Sequence, residues 1–474
     1  MKKTKLLLAA AVTATAMGTL ALTSCGPKKI VVWVGEESAT FYDKICQDFL
    51  AKEENADFGY QIEVKGMDTG SVAGTITTDA SKAADIYTVA HDNIGKLAAG
   101  NYAKPITDEA LTNQILADNP ESFKNVIYSN LGGQSYLFAA PYVSQALFLY
   151  YNKALVTDEQ AKSFEGLKEA AAAAGTKAWT VTGDDGYNFS FPLLATKVSD
   201  HSTSVKIYEG ALSDGSSKGT SHCQGDDTIA LTRYMQRSIK DPNGFKFASS
   251  DGWDADLRNN GALAVIGGAW HYNTAAAAVS EAKLGLALIP TMTLTAEDVD
   301  GLTGVAAGDV YRGGTFADCK VFMINGHSDP AKYEAEQKLI KYLTSKEIQN
   351  QSFKEVSNVP AYVGATDYIK GLFDAGEIKE NQFKLASCQV EMAEWGIPQP
   401  FITGSLNTFF YSKNAPAVIR ALVEGTKYPT TGDVILKDTT SLRGIREGLY
   451  MVEYIWMHGK NPQTPFPATL PVVA

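Results

Sequence analysis

The sequence has few cysteines and few histidines, which limits the metal and redox sites that it can form. It holds 5 Cys and 6 His among 474 residues. Besides Cys25 the cysteines are Cys46, Cys223, Cys319 and Cys388, and no two have the spacing of a zinc ribbon or a CxxC redox motif. The spacing leaves open whether they pair or stay free. Cys46 falls in a helical pattern and is predicted to be a small buried residue.

Positive charge is also scarce, and catalytic signatures are lacking. There are 42 Lys and Arg against 53 Asp and Glu, a net charge of −11 at pH 7. This excess of negative charge disfavours the binding of nucleic acid, because contacts to phosphate groups need clustered Lys and Arg. The sequence contains no P-loop, GxSxG or HExxH motif. His91 has no companion ligand nearby and is predicted to be held by backbone groups, so we expect no metal and no other cofactor.

The first 25 residues have the composition of a secretory leader. Lys2, Lys3 and Lys5 precede an uncharged, Ala-rich apolar run over residues 6–22, and small residues follow. The run is too short and too weakly apolar for a comfortable transmembrane span, and no later segment is apolar enough to cross a bilayer.

The end of this leader resembles the bacterial lipobox. Leu22-Thr23-Ser24-Cys25 has an apolar residue and two small residues ahead of a cysteine. The resemblance implies cleavage before Cys25, lipidation of that residue, a signal peptide over 1–24 and a tether over 25–29. The protein would then be extracytoplasmic and anchored to the cell membrane, or to the outer membrane of a Gram-negative host. The alternative is an ordinary leader that happens to contain a cysteine.

Beyond the leader, strand and helix patterns alternate. Ile30–Val34 is a continuous apolar run, which favours a strand buried on both faces. Strand patterns recur at Tyr60–Val64 and Asp85–Val89, and a helix pattern begins at Ile94. This alternation predicts an α/β protein, and the mature chain exceeds the single-core limit of about 250–300 residues, so two lobes are expected. The Ser- and Gly-rich stretch 213–225 is predicted to be a surface loop.

Four stretches together carry a family resemblance. They are Ile30–Ser38 (IVVWVGEES), Asp85–Leu97 (DIYTVAHDNIGKL), Pro141–Leu155 (PYVSQALFLYYNKAL) and Asn260–Trp270 (NGALAVIGGAW). In this order they resemble the extracellular solute-binding proteins of ABC sugar importers, in the maltose/maltodextrin-binding branch. Each stretch is weak alone, but the set extends over most of the mature chain.

The resemblance implies a fold and a division of the chain. The fold would be α/β, a two-lobe periplasmic-binding-protein fold with three hinge crossings. Those crossings are expected near Val143, Arg312–Phe316 and Val359–Tyr362. The first lobe would comprise residues 30–144 and 316–360, and the second lobe residues 145–315 and 361–474. The resemblance further implies a carbohydrate ligand between the lobes, such as maltose or a maltodextrin, and delivery to the permease subunits of an ABC transporter.

Sugar chemistry selects the first group of candidate residues. Carboxylates and amides accept or donate paired hydrogen bonds to hydroxyls, and open α/β sheets place such groups on loops after strands. Glu36 and Glu37 follow the first predicted strand, so at least one should face the cleft. By resemblance, Asp92 matches the ligand-binding Asp of the family, Asn93 replaces a common Arg, and Gln145 stands where a Glu is frequent.

Aromatic residues form the second group, because rings can stack under the C–H face of a sugar. Trp270 follows a double glycine at a strand end, and the resemblance makes it a stacking platform; the alternative is a core tryptophan beneath the cleft. Tyr187 and Asn188 resemble the family's aromatic loop in the second lobe. Phe410 fits a late helix that supplies another ring, or else belongs to the core. Trp395 could line the rim of the cleft or brace the hinge.

A lipid-anchored glycoside hydrolase is the alternative from another functional class. It needs two acids about 5–9 Å apart across the scissile bond, and Glu36 or Glu37 with Asp92 could supply them. The order of the four stretches favours the binding family, so the protein is predicted not to be an enzyme. Within that family the ligand could also be another oligosaccharide, a monosaccharide or a glycerol phosphate.

Overall fold

In this computed structural model the described residues are 28–124, 126–183, 186–202, 205–211, 218–248, 252–398, 414–429 and 432–473. The strands, in chain order, are β1 Lys29–Gly35, β2 Gln61–Met67, β3 Ile86–Ala90, β4 Ala103–Lys104, β5 Tyr128–Leu131, β6 Gln134–Leu137, β7 Ala140–Gln145, β8 Leu147–Asn152, β9 Lys177–Thr182, β10 Thr196–Lys197, β11 Lys206–Ala211, β12 Lys218–His222, β13 Phe245–Ala248, β14 Ala262–Gly268, β15 Leu284–Ala287, β16 Thr291–Thr293, β17 Val310–Arg312, β18 Phe316–Asn325 and β19 Ile397–Pro398.

The α-helices are α1 Ala39–Ala51, α2 Thr69–Thr78, α3 Ile94–Ala99, α4 Glu109–Asp118, α5 Glu121–Lys124, α6 Phe164–Ala174, α7 Gly186–Phe189, α8 Asp226–Lys240, α9 Trp253–Arg258, α10 Tyr272–Val279, α11 Ala296–Val299, α12 Tyr333–Leu343, α13 Lys346–Val356, α14 Ala365–Asp374, α15 Glu380–Trp395, α16 Asn414–Glu424 and α17 Leu442–His458. Short 3₁₀ turns span Glu36–Ser38, Glu53–Asn55, His91–Asn93, Gln160–Lys162, Ala269–His271, Glu281–Lys283 and Pro330–Lys332.

The first main sheet has the order β19–β18–β3–β1–β2, and β4 and β7 also pair with β18. β1 runs parallel to β2 and β3, whereas β18 runs antiparallel to β3 and β7. Strand β1 is largely buried, as its apolar run predicts, and Trp33 is 8% exposed. The predicted strand patterns at 60–64 and 85–89 correspond to β2 and β3, so the α/β prediction is confirmed here.

The second main sheet has the order β13–β9–β14–β8–β15. β13 and β14 run parallel to β9, and β8 is antiparallel to both β14 and β15.

The residues at the two ends of helix α6 explain where this helix begins and ends. Ser163 caps its first turn by accepting a bond from the Gly166 N–H, and Gly175 ends it at φ +66°, a conformation that glycine adopts without strain.

Each sheet has its own hydrophobic core. One core draws its residues from Ile30–Val143 and Cys319–Ile348, and the other from Ala146–Phe316 and Phe353–Val473. Within the described ranges the chain therefore passes from one core to the other three times. Near the first and third passages the segments touch, because the Ser144 N–H donates to the Val359 carbonyl at 2.9 Å. Two cores of this kind are expected for a chain of this length.

The stretch 213–225, predicted to be a surface loop, is not entirely one. Its described part contains strand β12, which pairs with β11. Ser221 and Cys223 are fully buried, and Ser221 also bridges to Val473 in the C-terminal tail. The prediction relied on Ser and Gly content, whereas long-range pairing with the tail determines the structure here.

The four described cysteines, Cys46, Cys223, Cys319 and Cys388, are free and buried. The prediction that Cys46 is buried is therefore confirmed. Among the described helices, none has both the length and the apolar character needed to traverse a lipid bilayer.

Candidate functional site

The carboxyl ends of two parallel strands place four candidate residues at one edge of the first sheet. The 3₁₀ turn Glu36–Ser38 follows β1, and the turn His91–Asn93 follows its neighbour β3. Strand β18 is antiparallel to β3, so its first residues lie at this same edge. Edges of this kind are where open α/β sheets bind ligands.

Glu37 is held at this edge by an ion pair. Its carboxylate accepts from Lys320 Nζ at 2.9 Å, and the Lys320 side chain is only 8% exposed. The Glu37 carboxylate also folds over Gly35, where an added Cβ would lie 2.5 Å from Oε1, so a larger residue there would displace the carboxylate. Burial raises the pKa of Glu37, but the Lys320 ammonium outweighs it and holds that pKa below its usual value. Glu36, in the same turn, is exposed, and the Glu37 side chain also remains 35% exposed despite its ion pair.

Asp92 and Asn93 form the next part of the site. Asp92 is 3% exposed, and its Oδ1 accepts a hydrogen bond of 3.0 Å from Asn93 Nδ2. Asn93 therefore fixes the orientation of the Asp92 carboxylate. His91 Nδ1 accepts from the Cys319 N–H at 3.3 Å, which confirms the prediction that His91 is held by backbone groups.

One face of β18 connects the candidate residues. Because side chains two apart on a strand share a face, Phe316, Asp318 and Lys320 project together. Asp318 lies directly opposite Gln145 of β7, so both side chains lie on that face. Lys320 pairs with Glu37, as described above. Sequence reasoning missed Asp318 and Lys320, although two charges inside the otherwise apolar run FADCKVFMIN were a usable signal.

The second sheet contributes an aromatic pair. Tyr187 of α7 and Trp270, in the 3₁₀ turn after β14, have ring centroids 5.9 Å apart at 52°. The Tyr187 ring also lies 6.1 Å from the ring of Phe316 at the start of β18. Trp270 is half-buried, as is Asn188 beside Tyr187. These contacts bring the aromatic candidates to the same strand that carries Asp318.

A glycine positions the Trp270 ring. A Cβ on Gly268 would lie 2.1 Å from the indole, so the ring packs directly on the backbone at the end of β14. The Tyr150 hydroxyl donates to the Gly268 carbonyl at 2.8 Å and fixes that strand end. The double glycine thus serves the packing of Trp270 and of His271, whose Nδ1 would lie 2.5 Å from a Cβ on Gly267.

His271 links the two sides of the site electrostatically. Burial, and then the positive charge of Lys320, lower the pKa of His271 to about 4, so it is neutral at pH 7. His271, which follows Trp270 in the second sheet's turn, therefore lies close enough to Lys320 of the first sheet to be affected by its charge. The ring of His271 is 5.3 Å from that of Trp270 and 4.7 Å from that of Trp253.

Two other aromatic candidates stand apart from this group. Trp395, at the end of α15, stacks on the His201 ring at 4.2 Å and lies 5.2 Å from the Arg312 guanidinium. It therefore braces β17 against α15 rather than joining the Tyr187–Trp270 pair. Phe410 lies outside the described residues. Within the described ranges, no three His, Cys, Asp or Glu side chains are grouped to hold a metal ion.

The comparison with protein families decides the class of this chain. Residues 46–378, more than half of the chain, match the family model SBP_bac_8, described as bacterial extracellular solute-binding protein. The chain belongs to this family.

Two curated relatives of this solute-binding protein are informative. It is 24% identical over 361 residues to the maltooligosaccharide ABC transporter solute-binding lipoprotein of Streptococcus pneumoniae, covering 73% of this chain and 75% of the relative. It is also 24% identical over 147 residues to the maltotriose-binding protein of Pyrococcus abyssi, covering 31% of this chain and 30% of that relative. The second match thus spans less than a third of the Pyrococcus protein.

Solved structures confirm the two-lobe α/β fold. The maltodextrin-binding protein MalE1 from L. casei BL23, without ligand, superposes with a TM-score of 0.62 at 20% identity, over 84% of this chain and 94% of that one. MalX from Streptococcus pneumoniae, in complex with maltopentaose, gives a TM-score of 0.64 at 17% identity, over 89% of this chain and 99% of that one. At sequence identities this low, the similarity to these structures supports a shared fold and nothing further.

Proposed function

We propose that this solute-binding protein captures a maltodextrin-type oligosaccharide between its two lobes and delivers it to the permease of an ABC transporter. The observation that carries the proposal is the shared face of β18. Polar candidates approach that face from the first sheet, and the Tyr187–Trp270 pair approaches it from the second. The names of the Streptococcus and Pyrococcus relatives support the same ligand class.

Each side of the site has a distinct part in binding. Glu36, Glu37, Asp92, Asn93 and Gln145 would bond sugar hydroxyls, since charged and amide groups make the strongest such hydrogen bonds. On the other side, Tyr187 and Trp270 would pack under the C–H face of a sugar ring, and Asn188 would bond a hydroxyl. Phe410 is assigned a stacking role by the resemblance alone.

The division into lobes is part of the proposal. Residues 30–144 and 316–360 would form the first lobe, and residues 145–315 and 361–474 the second, with the side chains of Phe316, Phe353 and Val359 packed in the core of the second sheet. The three passages between the cores would act as a hinge that closes the lobes on the sugar, a motion typically on the μs–ms timescale. Small-angle scattering should show compaction in saturating maltotriose, and an unchanged radius of gyration would count against closure.

The membrane anchor rests on the sequence and on the relative named as a lipoprotein. Lipidation at Cys25 would keep the protein on the outer surface of the membrane, beside its permease. A Cys25→Ala variant should leave the membrane fraction, because the acyl chains contribute about 0.8 kcal/mol per buried CH₂. Persistence of this variant in salt-washed membranes would contradict lipid anchoring.

The pair that the sequence offered for a hydrolase, Glu37 with Asp92, is disfavoured by the state of Glu37. A general acid must hold a proton near neutral pH, and the Lys320 ion pair favours the ionised form of Glu37 instead. The Asp92 carboxylate is likewise positioned by Asn93 as an acceptor. Both arrangements suit hydroxyl binding, and the family is one of binding proteins.

A ligand screen tests the function directly. Maltose, maltotriose and maltopentaose should each raise the melting temperature, and a ligand at 100 times its Kd should stabilise by about 2.7 kcal/mol. Cellotriose is the matched control for maltotriose, because both are glucose trimers and they differ only in their linkage. Chromatography of the sugars after incubation should show no cleavage. Absence of any stabilisation would overturn the proposed ligand class, and released glucose would favour the hydrolase.

A further inference from the structure

Strand β18 carries a buried acid that no contact accounts for. Asp318 is 2% exposed, and its Oδ1 has no hydrogen-bonding partner among the described residues. A buried polar atom without a partner costs free energy, so such atoms are rare in native structures and call for an explanation. A bound ligand that supplies the missing partner is one such explanation.

Predicted ligand-binding residues lie on both sides of Asp318, one on each neighbouring strand or the turn after it. On the neighbouring strand β7, the residue directly opposite Asp318 is Gln145. Across β3, the pairing of Lys320 with Ala90 places Asp318 level with the turn that carries Asp92. The acid therefore lies between two residues that the proposed function assigns to the sugar, at the edge of the sheet where ligands bind.

The charges that face Asp318 come from two elements. The turn after β3 brings the Asp92 carboxylate, and β18 itself brings Lys320, which Glu37 already engages. From the second sheet, His271 lies near Lys320 and is neutral at pH 7.

Two further elements touch this part of β18. Helix α15 packs on it, and the charge of its Glu391 acts on Arg312 and Cys388. Strand β7 contributes the uncharged Gln145. Burial, and then the charge of Asp92, raise the pKa of Asp318 well above its usual value, while Lys320 lowers it by less. Asp318 thus keeps its proton over a wider pH range than a solvated aspartate does.

We propose that Asp318 is a further ligand-binding residue, which donates a hydrogen bond from its neutral carboxyl group to an oxygen of an uncharged sugar. The inference rests on the proposed function, since it takes a sugar to lie between the lobes. A sugar oxygen that accepts a hydrogen bond from the neutral carboxyl group stabilises this form and makes ionisation beside Asp92 still less favourable. Binding then takes up a proton. Affinity is highest below the pKa of Asp318 in the free protein, and falls as pH rises from there to its pKa in the complex.

Calorimetry of maltotriose binding to the full mature chain tests this. From pH 5 up to the highest pH at which the protein stays folded, the wild-type Kd should rise at least threefold, and buffers of different ionisation enthalpy should reveal proton uptake in the range where it rises. D318N imitates the neutral acid, so it should bind within about threefold of the wild type at pH 5 and lose both the pH dependence and the proton uptake. D318A lacks the donor and should bind at least tenfold more weakly at every pH.

A matched buried acid serves as the control. Glu336 is fully buried, its pKa is raised by burial to about 7, and its Oε2 also lacks a partner among the described residues; its Oε1 bonds Ser328, away from the candidate ligand residues. E336Q should keep the wild-type pH profile of binding. A D318N variant that keeps that profile, or a D318A variant of wild-type affinity, would overturn the role of Asp318 alone. Affinity that rises with pH would also overturn it, because the ionised acid would then bind a cationic group. Wild-type protein that binds no maltodextrin at any pH would overturn the proposed function as well.

Discussion

The two sides of the candidate site differ in the kind of contact that they offer. The first-sheet side is ionic and hydrogen-bonded, with Glu37 paired to Lys320 and Asp92 held by Asn93. The second-sheet side is aromatic, with the rings of Tyr187 and Trp270 close together. Hydrogen bonds are directional, whereas ring stacking depends mainly on buried area. We therefore expect the first side to set which hydroxyls are accepted, and the second to supply most of the affinity.

The two sides also differ in how they are positioned. The polar residues depend on their neighbours for orientation, since each carboxylate is fixed by another side chain. The position of the Trp270 ring instead requires that residue 268 be a glycine, because a side chain there would occupy the space of the ring. Substitutions should consequently act on the polar side by removing a partner, and on the aromatic side by adding volume.

Loss of the Trp270 ring should have the largest effect. Trp270→Ala is expected to weaken maltotriose binding at least tenfold, a loss of about 1.4 kcal/mol or more, because a stacked tryptophan at the centre of a site typically contributes at least that much. Titration calorimetry gives the Kd. Trp395→Leu is the control, since this ring stacks on His201 away from the pair and should affect melting temperature but not affinity. A stable Trp270→Ala protein with wild-type affinity would remove this ring from the site.

Added volume at Gly268 should come next. Gly268→Ala places a methyl group where the Trp270 ring lies, so the ring must move and binding should weaken about fivefold to tenfold, or about 1 kcal/mol. Gly74→Ala is the matched control, because its Cβ would meet nothing within 4 Å in helix α2 and should stabilise by about 0.5–1 kcal/mol. Equal affinities for the two variants would mean that the position of the indole is unimportant.

Removal of the amide that orients Asp92 should have a smaller effect. Asn93→Ala deletes one hydrogen bond to a carboxylate and is expected to weaken binding by about 1 kcal/mol or less, a few-fold in Kd. The control is Asn55→Ala, whose amide bonds the Phe49 carbonyl far from the site and should alter only the unfolding free energy. If both variants bind like the wild type, the orientation of Asp92 does not limit affinity.

The ion pair should have the smallest effect, and it should depend on pH. The folded-state pKa of Glu37 lies below its unfolded value, so the pair stabilises above the unfolded pKa and its contribution is lost as pH falls through the folded one. Lys320→Gln should lower the unfolding free energy at pH 7 by about 0.5–1 kcal/mol, and by less as the solution is acidified below pH 4. Urea titrations at several pH values measure this. A difference that grows at low pH would contradict the role of Glu37.

The local elements of the first sheet follow from sequence patterns. Strand β1 was predictable because a continuous apolar run suits a strand buried on both faces, and β2 and β3 because strand patterns occur at 60–64 and 85–89. The order of four short stretches was enough to indicate the family and the two-lobe fold. The turns that carry Glu37 and Asp92 follow predicted strands, so their approach to one sheet edge was also accessible from sequence.

The contacts between distant segments were not accessible. Asp318 and Lys320 are separated from Asp92 and Glu37 by more than 220 residues, and only the antiparallel pairing of β18 with β3 and β7 brings them together. A sequence pattern gives the faces of a strand but not its neighbours in the sheet. Strand β12 was missed for a similar reason, since it is stabilised by β11 and by Val473 rather than by its own composition.

The buried thiols give the protein a practical property. Burial raises the pKa of Cys46 and Cys388 to about 12, and those of Cys223 and Cys319 also lie well above the usual value. Because the thiolate is the reactive form, these four residues should resist maleimide dyes at pH 7. A chain that begins at Lys28 and carries one added surface cysteine would then accept a single fluorophore, and such a conjugate could serve as an optical sensor of sugar in solution.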